Sequence, residues 1–301
     1  MRNRFLMVFL VAIIAVAELL NGDATQGAAQ DVAAKAQQLL TQARAALGGD
    51  KLKSLTSLSA SGSIRRKIGQ MEMSGELQLD MLLPDKVMRV EVTNLMGAAE
   101  LTRMEVLNGT NVWTDQQTSG GGGMMMIRRP GGDNPHAQAQ QQNAVRAEMA
   151  RTMIGWLLTT PSSFPVEYKF AGEAESPDGK ADVLEVKGAN DFAVRLFLDQ
   201  KSHKPLLLTY KGRKPRVVMS TGSAPSSEEE LKKQIADAEA KAASEPLSEY
   251  QVTFNDYRDV NGVSLPHRLT KSIDNEVNEE WEISKFKLNP QLKPEKFEKK
   301  Q

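Results

Sequence analysis

The residues of this sequence that could perform acid–base, nucleophilic or metal chemistry form no recognisable catalytic arrangement. The 301 residues include no cysteine, and the three histidines, His136, His203 and His267, lack metal-ligand spacing. The chain contains no Gly-x-Ser-x-Gly or His-Glu-x-x-His motif. Nothing places the acidic runs at 228–230 and 279–280 around a shared cleft. We therefore predict a protein that is not an enzyme and needs no metal or other cofactor. A site assembled from scattered carboxylates is the enzymatic alternative.

Four consecutive glycines, Gly120 to Gly123, lie in an insertion near residues 118–135, close to Arg128 and Arg129. A phosphate-binding loop would end in Lys-Ser or Lys-Thr, and this run does not. We interpret the insertion as a surface loop. Its glycines would also suit a hinge for the helix that follows.

The 38 basic and 38 acidic residues give a formal net charge of zero. A protein that binds nucleic acid carries a basic excess, so we expect no nucleic-acid partner. Without cysteine the chain forms no disulfide and offers no thiol for a lipid anchor. A chain of this length can bury a core large enough to stabilise it without such links.

The first residues have the features of a secretory signal peptide. Arg2 and Arg4 precede an apolar run at 5–17, and small residues follow at 27–29. We predict that residues 1–29 are removed and that the mature protein is soluble in the periplasm. The alternative is a retained membrane anchor, but a bilayer needs about 20 apolar residues and this run is shorter.

The stretch at 250–290 predicts three antiparallel strands, around which the rest of the chain is organised. Asn261-Gly262 suits a two-residue type I′ turn, in which both central residues have positive φ. The apolar parity of the third strand shifts near its end, which predicts a bulge at Ser284 or Lys285.

A clear two-residue period also runs through 71–83. We expect Val90 to continue the same apolar face after a turn. Gly75 interrupts that face at a position where a long strand could coil or kink. About a dozen short strands with such alternation argue for an antiparallel sheet or barrel.

Helical spacing predicts two helices beside this sheet. The first, at 31–47, stops at Gly48-Gly49, as a helix C-terminus does. The second, from about 137 to 158, carries an apolar stripe. The stripe either packs on the sheet as core or forms a mobile flap whose methionines adapt to an apolar ligand. Helices placed between strands make α+β the predicted fold class.

A second insertion lies near residues 221–248 and contains a capping box that begins at Ser227. Because the insertion is rich in charged residues, we predict a helix that is exposed to solvent. No linker separates two balanced halves of the chain. We therefore predict one domain over residues 30–301 that carries both insertions.

Five segments, in this order, resemble the outer-membrane lipoprotein-sorting (LolA-like) family: ALGGDKLKSLTSLSASG, GELQLDMLLPDKVMRVE, LNGTNVW, YRDVNGVSLPHRLTKS and EEWEISKFKLNP. The resemblance spans nearly the whole mature chain. It implies a strongly curved, unclosed antiparallel β-barrel with an N-terminal helix and a mid-chain lid helix on the apolar concave face.

The resemblance also implies a function. We expect a periplasmic carrier or binding protein that holds a lipid acyl chain or a lipoprotein, with transport of lipoproteins to the outer membrane as its fullest form. A non-enzymatic envelope sensor that binds a protein partner is the alternative. We expect a monomer that makes transient contact with membranes or membrane-bound partners. In the lipoprotein carrier an arginine before the proline of the second hairpin bonds to the lid, but the matching residue here is Leu83, so that latch is missing.

A carrier of this kind needs a large dry concavity, because each CH₂ of an acyl chain costs about 0.8 kcal/mol in water. The candidate ligand-binding residues lie on the predicted inner sheet face and on the stripe of the second helix. They are Met73, Leu77, Leu79, Met81, Val90, Met149, Met153, Trp156, Leu157 and Trp281.

Overall fold

The computed structural model describes residues 22–69, 71–95, 99–119, 135–177, 179–214 and 245–299. Most of the predicted signal peptide, the glycine run and the capping-box helix lie outside the described residues. The predicted domain of residues 30–301 and its signal-peptide cleavage stay predictions.

The described chain consists of three α-helices, one 3₁₀ helix and twelve strands. The helices are α1 (Gly22–Leu47), α2 (Asp50–Lys53) and α3 (Pro135–Leu157), and the 3₁₀ helix is Pro294–Phe297. The strands are β1 (Ser57–Ile68), β2 (Met71–Leu82), β3 (Lys86–Leu95), β4 (Ala99–Asn108), β5 (Asn111–Ser119), β6 (Val166–Ser176), β7 (Gly179–Gly188), β8 (Ala193–Asp199), β9 (Pro205–Gly212), β10 (Ser248–Val260), β11 (Val263–Ile273) and β12 (Glu276–Leu288).

All twelve strands form one antiparallel sheet in the order β5-β4-β3-β2-β1-β12-β11-β10-β9-β8-β7-β6. The first and last strands pair at its centre, where β1 runs beside β12. The two outer strands, β5 and β6, lie at opposite ends of this order, so the described sheet is not closed. With α1 and α3 packed on one face, the fold is the predicted α+β, unclosed antiparallel barrel.

The C-terminal hairpins form as predicted. Asn261 (φ 51°) and Gly262 (φ 88°) both have positive φ, as a type I′ turn requires. The pairing of β1 with β12 shifts between Ser61 and Gly62, which leaves Ser284 as the extra residue of a bulge. This bulge confirms the shift of parity seen in the sequence, because one extra residue exchanges the faces of the strand.

The inner face of the sheet, which carries α1 and α3, contains most of the hydrophobic core. Cross-strand register puts Ala60, Leu79 and Arg89 on this face of β1, β2 and β3. Side chains from α1, α3 and the strands form one buried apolar cluster there. The helix α1 ends at Leu47 before Gly48 and Gly49, both of positive φ, as predicted.

The prediction that β3 continues the inner apolar face is wrong. Val90 pairs with Gln78 on β2, so it lies on the outer face, and Val87, Arg89 and Glu91 point inward instead. Apolar residues occupy both parities of β3, because its outer face is covered as well. Val90 packs there against a second cluster that includes the fully buried Phe297 of the 3₁₀ helix.

Candidate functional site

The helix α3 lies on the inner face, and its apolar stripe packs there as core. Trp156 is fully buried, and its ring meets Trp281 edge-on at 6.4 Å between centroids and Phe286 at 5.2 Å. One turn of the helix approaches the sheet closely at Gly155, where an added Cβ would overlap the ring of Phe254. Of the two interpretations of the apolar stripe, the structure therefore agrees with the one in which the stripe packs on the sheet as core.

Eight of the ten candidate ligand-binding residues come together in the inner cluster. They are Leu77, Leu79, Met81, Met149, Met153, Trp156, Leu157 and Trp281, each less than a tenth exposed. Met73 lies near the end of β2 and is only partly buried. Val90 lies on the outer face, as described above, so it does not join this group.

The expectation of an interior too roomy for its own side chains is wrong for this conformation. Between α3 and strands β9 to β12 lies a cavity of about 30 Å³. This space holds two or three water molecules at most, since one water needs about 10–15 Å³. It is lined by five apolar residues, Leu208, Val252, Phe254, Leu269 and Trp281, and by five polar ones, Glu148, Arg151, Thr152, Lys271 and Glu279.

A line of buried charges crosses the inner face beside this apolar cluster. On β3 and β4, Arg89 donates to Glu105 at 2.6 Å and approaches Glu91 at 3.3 Å, while Arg103 pairs with Glu105. On the other side, Arg66 of β1 binds Glu91 through both terminal nitrogens, at 3.0 and 3.1 Å. We call Arg66, Arg89, Glu91, Arg103, Glu105 and Glu279 the strand ion network.

The arrangement of strands allows this network to span several strands. Arg66 reaches Glu91 on β3 across β2, where Gly75 faces inward between the two without a side chain. An added Cβ at Gly75 would also overlap the carbonyl oxygen of Val92. Arg66 bonds in addition to Glu279 of β12 at 2.5 Å, and Glu279 accepts a hydrogen bond of 2.7 Å from the indole of Trp281. The glycine that interrupts the apolar period therefore makes room for a buried ion pair.

A second group of charges joins α3 to the sheet. The carboxylate of Glu148 on α3 lies 2.6 Å from the ammonium of Lys271 on β11 and 3.1 Å from the guanidinium of Arg151. We call these three residues the helix ion cluster. All three residues line the small cavity. The ion pair between Glu148 and Lys271 thus connects α3 to the sheet.

The carboxylates of Glu91, Glu105 and Glu148 are ionised at neutral pH. Burial raises the pKa of Glu148, but Lys271 and Arg151 outweigh burial and hold that pKa well below its usual range. Burial likewise raises the pKa of Glu91 and of Glu105, but the neighbouring arginines together more than reverse the effect, with Arg89 the largest contributor among them. Burial lowers the pKa of Lys271, but Glu148 raises it above its usual value. In all, five cations face four carboxylates.

Sequence reasoning missed these charges because they are single residues inside apolar strands. In β3, Arg89 and Glu91 alternate with Met88, Val90 and Val92, and the apolar set was assigned to the wrong face. The available signal was that β3 presents apolar residues at both parities. A strand that is covered on both faces can bury a charged side chain only where neighbouring strands supply an oppositely charged partner.

The outer face has an open groove of about 630 Å³ across the central strands. Its lining is mostly polar, including Ser61, Ser63, Gln78 and two ion pairs, Arg258 with Asp256 and Arg268 with Glu282. None of the candidate residues except Leu77 and Val90 contributes to it.

The described residues contain no group of three metal-ligating side chains placed to hold an ion. Within the same ranges, no helix has both the length and the apolar character needed to cross a bilayer.

No protein-family model matches the chain, and no curated protein matches it in sequence. Among solved structures, it is similar to an outer membrane lipoprotein-sorting protein domain from Vibrio parahaemolyticus (12% identity, TM-score 0.47), with 88% of this chain and 97% of that chain covered. A DUF1329 family protein from Desulfovibrio piger is 10% identical (TM-score 0.48; 87% and 97% covered). A LolA superfamily protein from Nitrosomonas europaea is 11% identical (TM-score 0.45; 88% and 97% covered). At this level of similarity the comparisons carry no conclusion about function.

Proposed function

We propose that this protein is a periplasmic carrier that takes the acyl chain of a lipid or lipoprotein onto the inner face of its sheet, in place of α3. The observation that supports it is the composition of that face. Leu77, Leu79, Met81 and Trp281 form a continuous apolar surface, and the helix that covers it does so through an apolar stripe of its own. An acyl chain presents the same kind of surface as that stripe.

The closed conformation leaves no room for such a chain. Ligand pockets commonly measure about 300–1,000 Å³, at least ten times the cavity of about 30 Å³ beside α3. Binding therefore requires α3 to leave the inner face at least in part. Shielding an acyl chain from water, at about 0.8 kcal/mol per CH₂, compensates for the loss of the helix contacts.

Two of the three tryptophans of the chain report on this site. Trp156 and Trp281 touch each other in the interior, whereas Trp113 lies on the other side of the sheet and donates to the carbonyl oxygen of Phe297. In a Trp113→Phe variant, fluorescence comes only from the two interior indoles. A brominated alkyl glucoside, used below its micelle concentration, should quench that fluorescence with saturation, because bromine quenches only at close range.

Cargo from the native host supplies the second test. Gentle native mass spectrometry of protein purified from that host should show bound phospholipid or an acylated partner. An unquenched Trp113→Phe variant together with a purely ligand-free mass would refute the carrier. A lipid-free complex with a stable protein partner would favour the envelope binding module instead.

A further inference from the structure

One cation of the inner face, Lys271 of β11, takes the carboxylate of its ion pair from α3. Within the described residues, the only carboxylate that forms an ion pair with Lys271 is Glu148 on α3, at 2.6 Å. The cations of the strand ion network are different, since Arg66, Arg89 and Arg103 each pair with a carboxylate of the sheet itself. Displacement of α3 would therefore remove the ion-pair partner of Lys271 and leave it beside Tyr210 and Glu279 of the sheet, and Glu279 already pairs with Arg66.

The surroundings of Lys271 combine a charge with an apolar wall. Its side chain is 17% exposed, and the cavity beside it continues over Leu208, Val252 and Phe254. An ammonium in such a place is destabilising if it is left without an anion. Binding of an uncharged acyl ligand would leave the ammonium of Lys271 without an anion, whereas a ligand with its own anion would supply one.

We propose that Lys271 is the anion-binding position of the carrier site, and that its ligand is an amphiphile with a carboxylate or phosphate at the end of its acyl chain. The anion takes the place of Glu148 on Lys271, and the chain lies along the apolar wall. Arg151 leaves with α3, because it lies on the same helix as Glu148. This inference rests on the proposed function, since it names the chemical class of the cargo.

Two probes that differ in one charge test whether Lys271 binds the anion of the ligand. Dansylaminoundecanoic acid and its methyl ester share the same chain and fluorophore, and both can be titrated into the full-length protein at pH 7.4. We expect the wild-type protein to bind the acid about tenfold more tightly than the ester, as one charge-assisted contact allows. Lys271→Met should abolish this preference by weakening the acid alone, and Lys271→Arg should retain it.

A substitution of Glu148 on α3 should have the opposite effect on binding of the acid. Glu148→Gln removes the competing carboxylate and keeps its shape, so it should tighten acid binding about tenfold and change ester binding less. Lys187→Met is the matched control, because Lys187 pairs with Glu185 on an exposed part of the sheet. It should leave both affinities within about twofold.

The outcomes separate the two proposals. Equal binding of acid and ester by the wild-type protein, or a preference that survives Lys271→Met, would overturn the assignment of Lys271 and leave the carrier in place. Failure of both probes to bind, with no quenching of Trp156 and Trp281, would remove the carrier itself. If Lys271→Met does not fold, Glu148→Gln and Lys271→Arg still decide the matter.

Discussion

Glu148 on α3 and Lys271 on β11 lie 2.6 Å apart across the boundary between helix and sheet. Neither side chain is freely solvated, at 21% and 17% exposure. They form an ionic contact between α3, which the proposed carrier would move for ligand entry, and the sheet surface that it covers. The pair therefore contributes to the stability of the closed state as well as to the proposed selection of ligand.

The strength of this contact can be measured by a double-mutant cycle. Glu148→Gln leaves two cations without a shared carboxylate, so we expect the free energy of unfolding to fall by about 1–3 kcal/mol. Lys271→Met in the Glu148→Gln background should cost less than it does alone, with a coupling energy of about 1–3 kcal/mol. Urea titrations of the four proteins supply the values. Glu185→Gln, which removes an exposed partner, should change stability by no more than about 0.5 kcal/mol, and a coupling energy near zero would contradict the role of the pair.

The carboxylate of Glu148 also makes the free energy of unfolding depend on pH. The pKa of Glu148 is lower in the folded than in the unfolded protein, because Lys271 and Arg151 outweigh the effect of burial. A lowered folded pKa means that the stabilisation is complete above the usual glutamate pKa, near 4.5. It is lost as the pH falls from there towards the folded value. Urea midpoints at pH 7, 5, 4 and 3 should decline more steeply for the wild-type protein than for Glu148→Gln, and parallel curves would contradict this.

Two adjacent arginines on β1 give a direct comparison of buried and exposed ion pairs. Arg66 points inward to Glu91 and Glu279, both less than a tenth exposed, whereas Arg65 points outward to Glu280 with 46% of its side chain exposed. Arg66→Met should cost about 3–5 kcal/mol, because the buried Glu279 loses its cation and the buried Glu91 keeps only Arg89. Arg65→Met should cost about 0–1 kcal/mol. Chemical denaturation measures both, and equal losses would show that the strand ion network does not carry stability.

The close approach of α3 to the sheet at Gly155 predicts an unusual effect of alanine. Alanine in place of glycine normally stabilises a helix by about 1 kcal/mol. Here the added Cβ would overlap the ring of Phe254, so we expect Gly155→Ala to destabilise the closed state by about 1–3 kcal/mol. Phe254→Leu should relieve the overlap, and the double variant should be more stable than the sum of the two single changes indicates. A stabilising Gly155→Ala would mean that the helix does not pack in this position.

Removal of one buried hydroxyl group should, in contrast, leave the stability unchanged or increase it. Among the described residues, the hydroxyl of Tyr168 has no hydrogen-bond partner, and burial raises its pKa to about 12. Tyr168→Phe removes an unsatisfied polar atom and keeps the ring, so the free energy of unfolding should stay the same or rise by up to about 1 kcal/mol. A loss of more than about 1 kcal/mol in thermal or urea unfolding would indicate a partner for this hydroxyl in solution.

The sequence by itself determined the parts of the fold that depend on local pattern. The two-residue period of β2, the Asn261-Gly262 turn and the extra residue at Ser284 each leave a signal within a few positions of the chain. Such signals arise because side-chain direction in a strand and positive φ in a turn are properties of neighbouring residues. The unclosed antiparallel barrel with its two helices followed from these and from the family resemblance.

Only the tertiary structure decided which face of β3 points inward and what lies there. Apolar residues at both parities of β3 left its orientation open, and pairing with β2 turned Arg89 and Glu91 inward and Val90 outward. The same holds for Glu148 and Lys271, which are 123 residues apart in sequence. Neither residue has a neighbour in the chain that marks it as buried, because a buried charge is stabilised by a partner that only folding brings into contact.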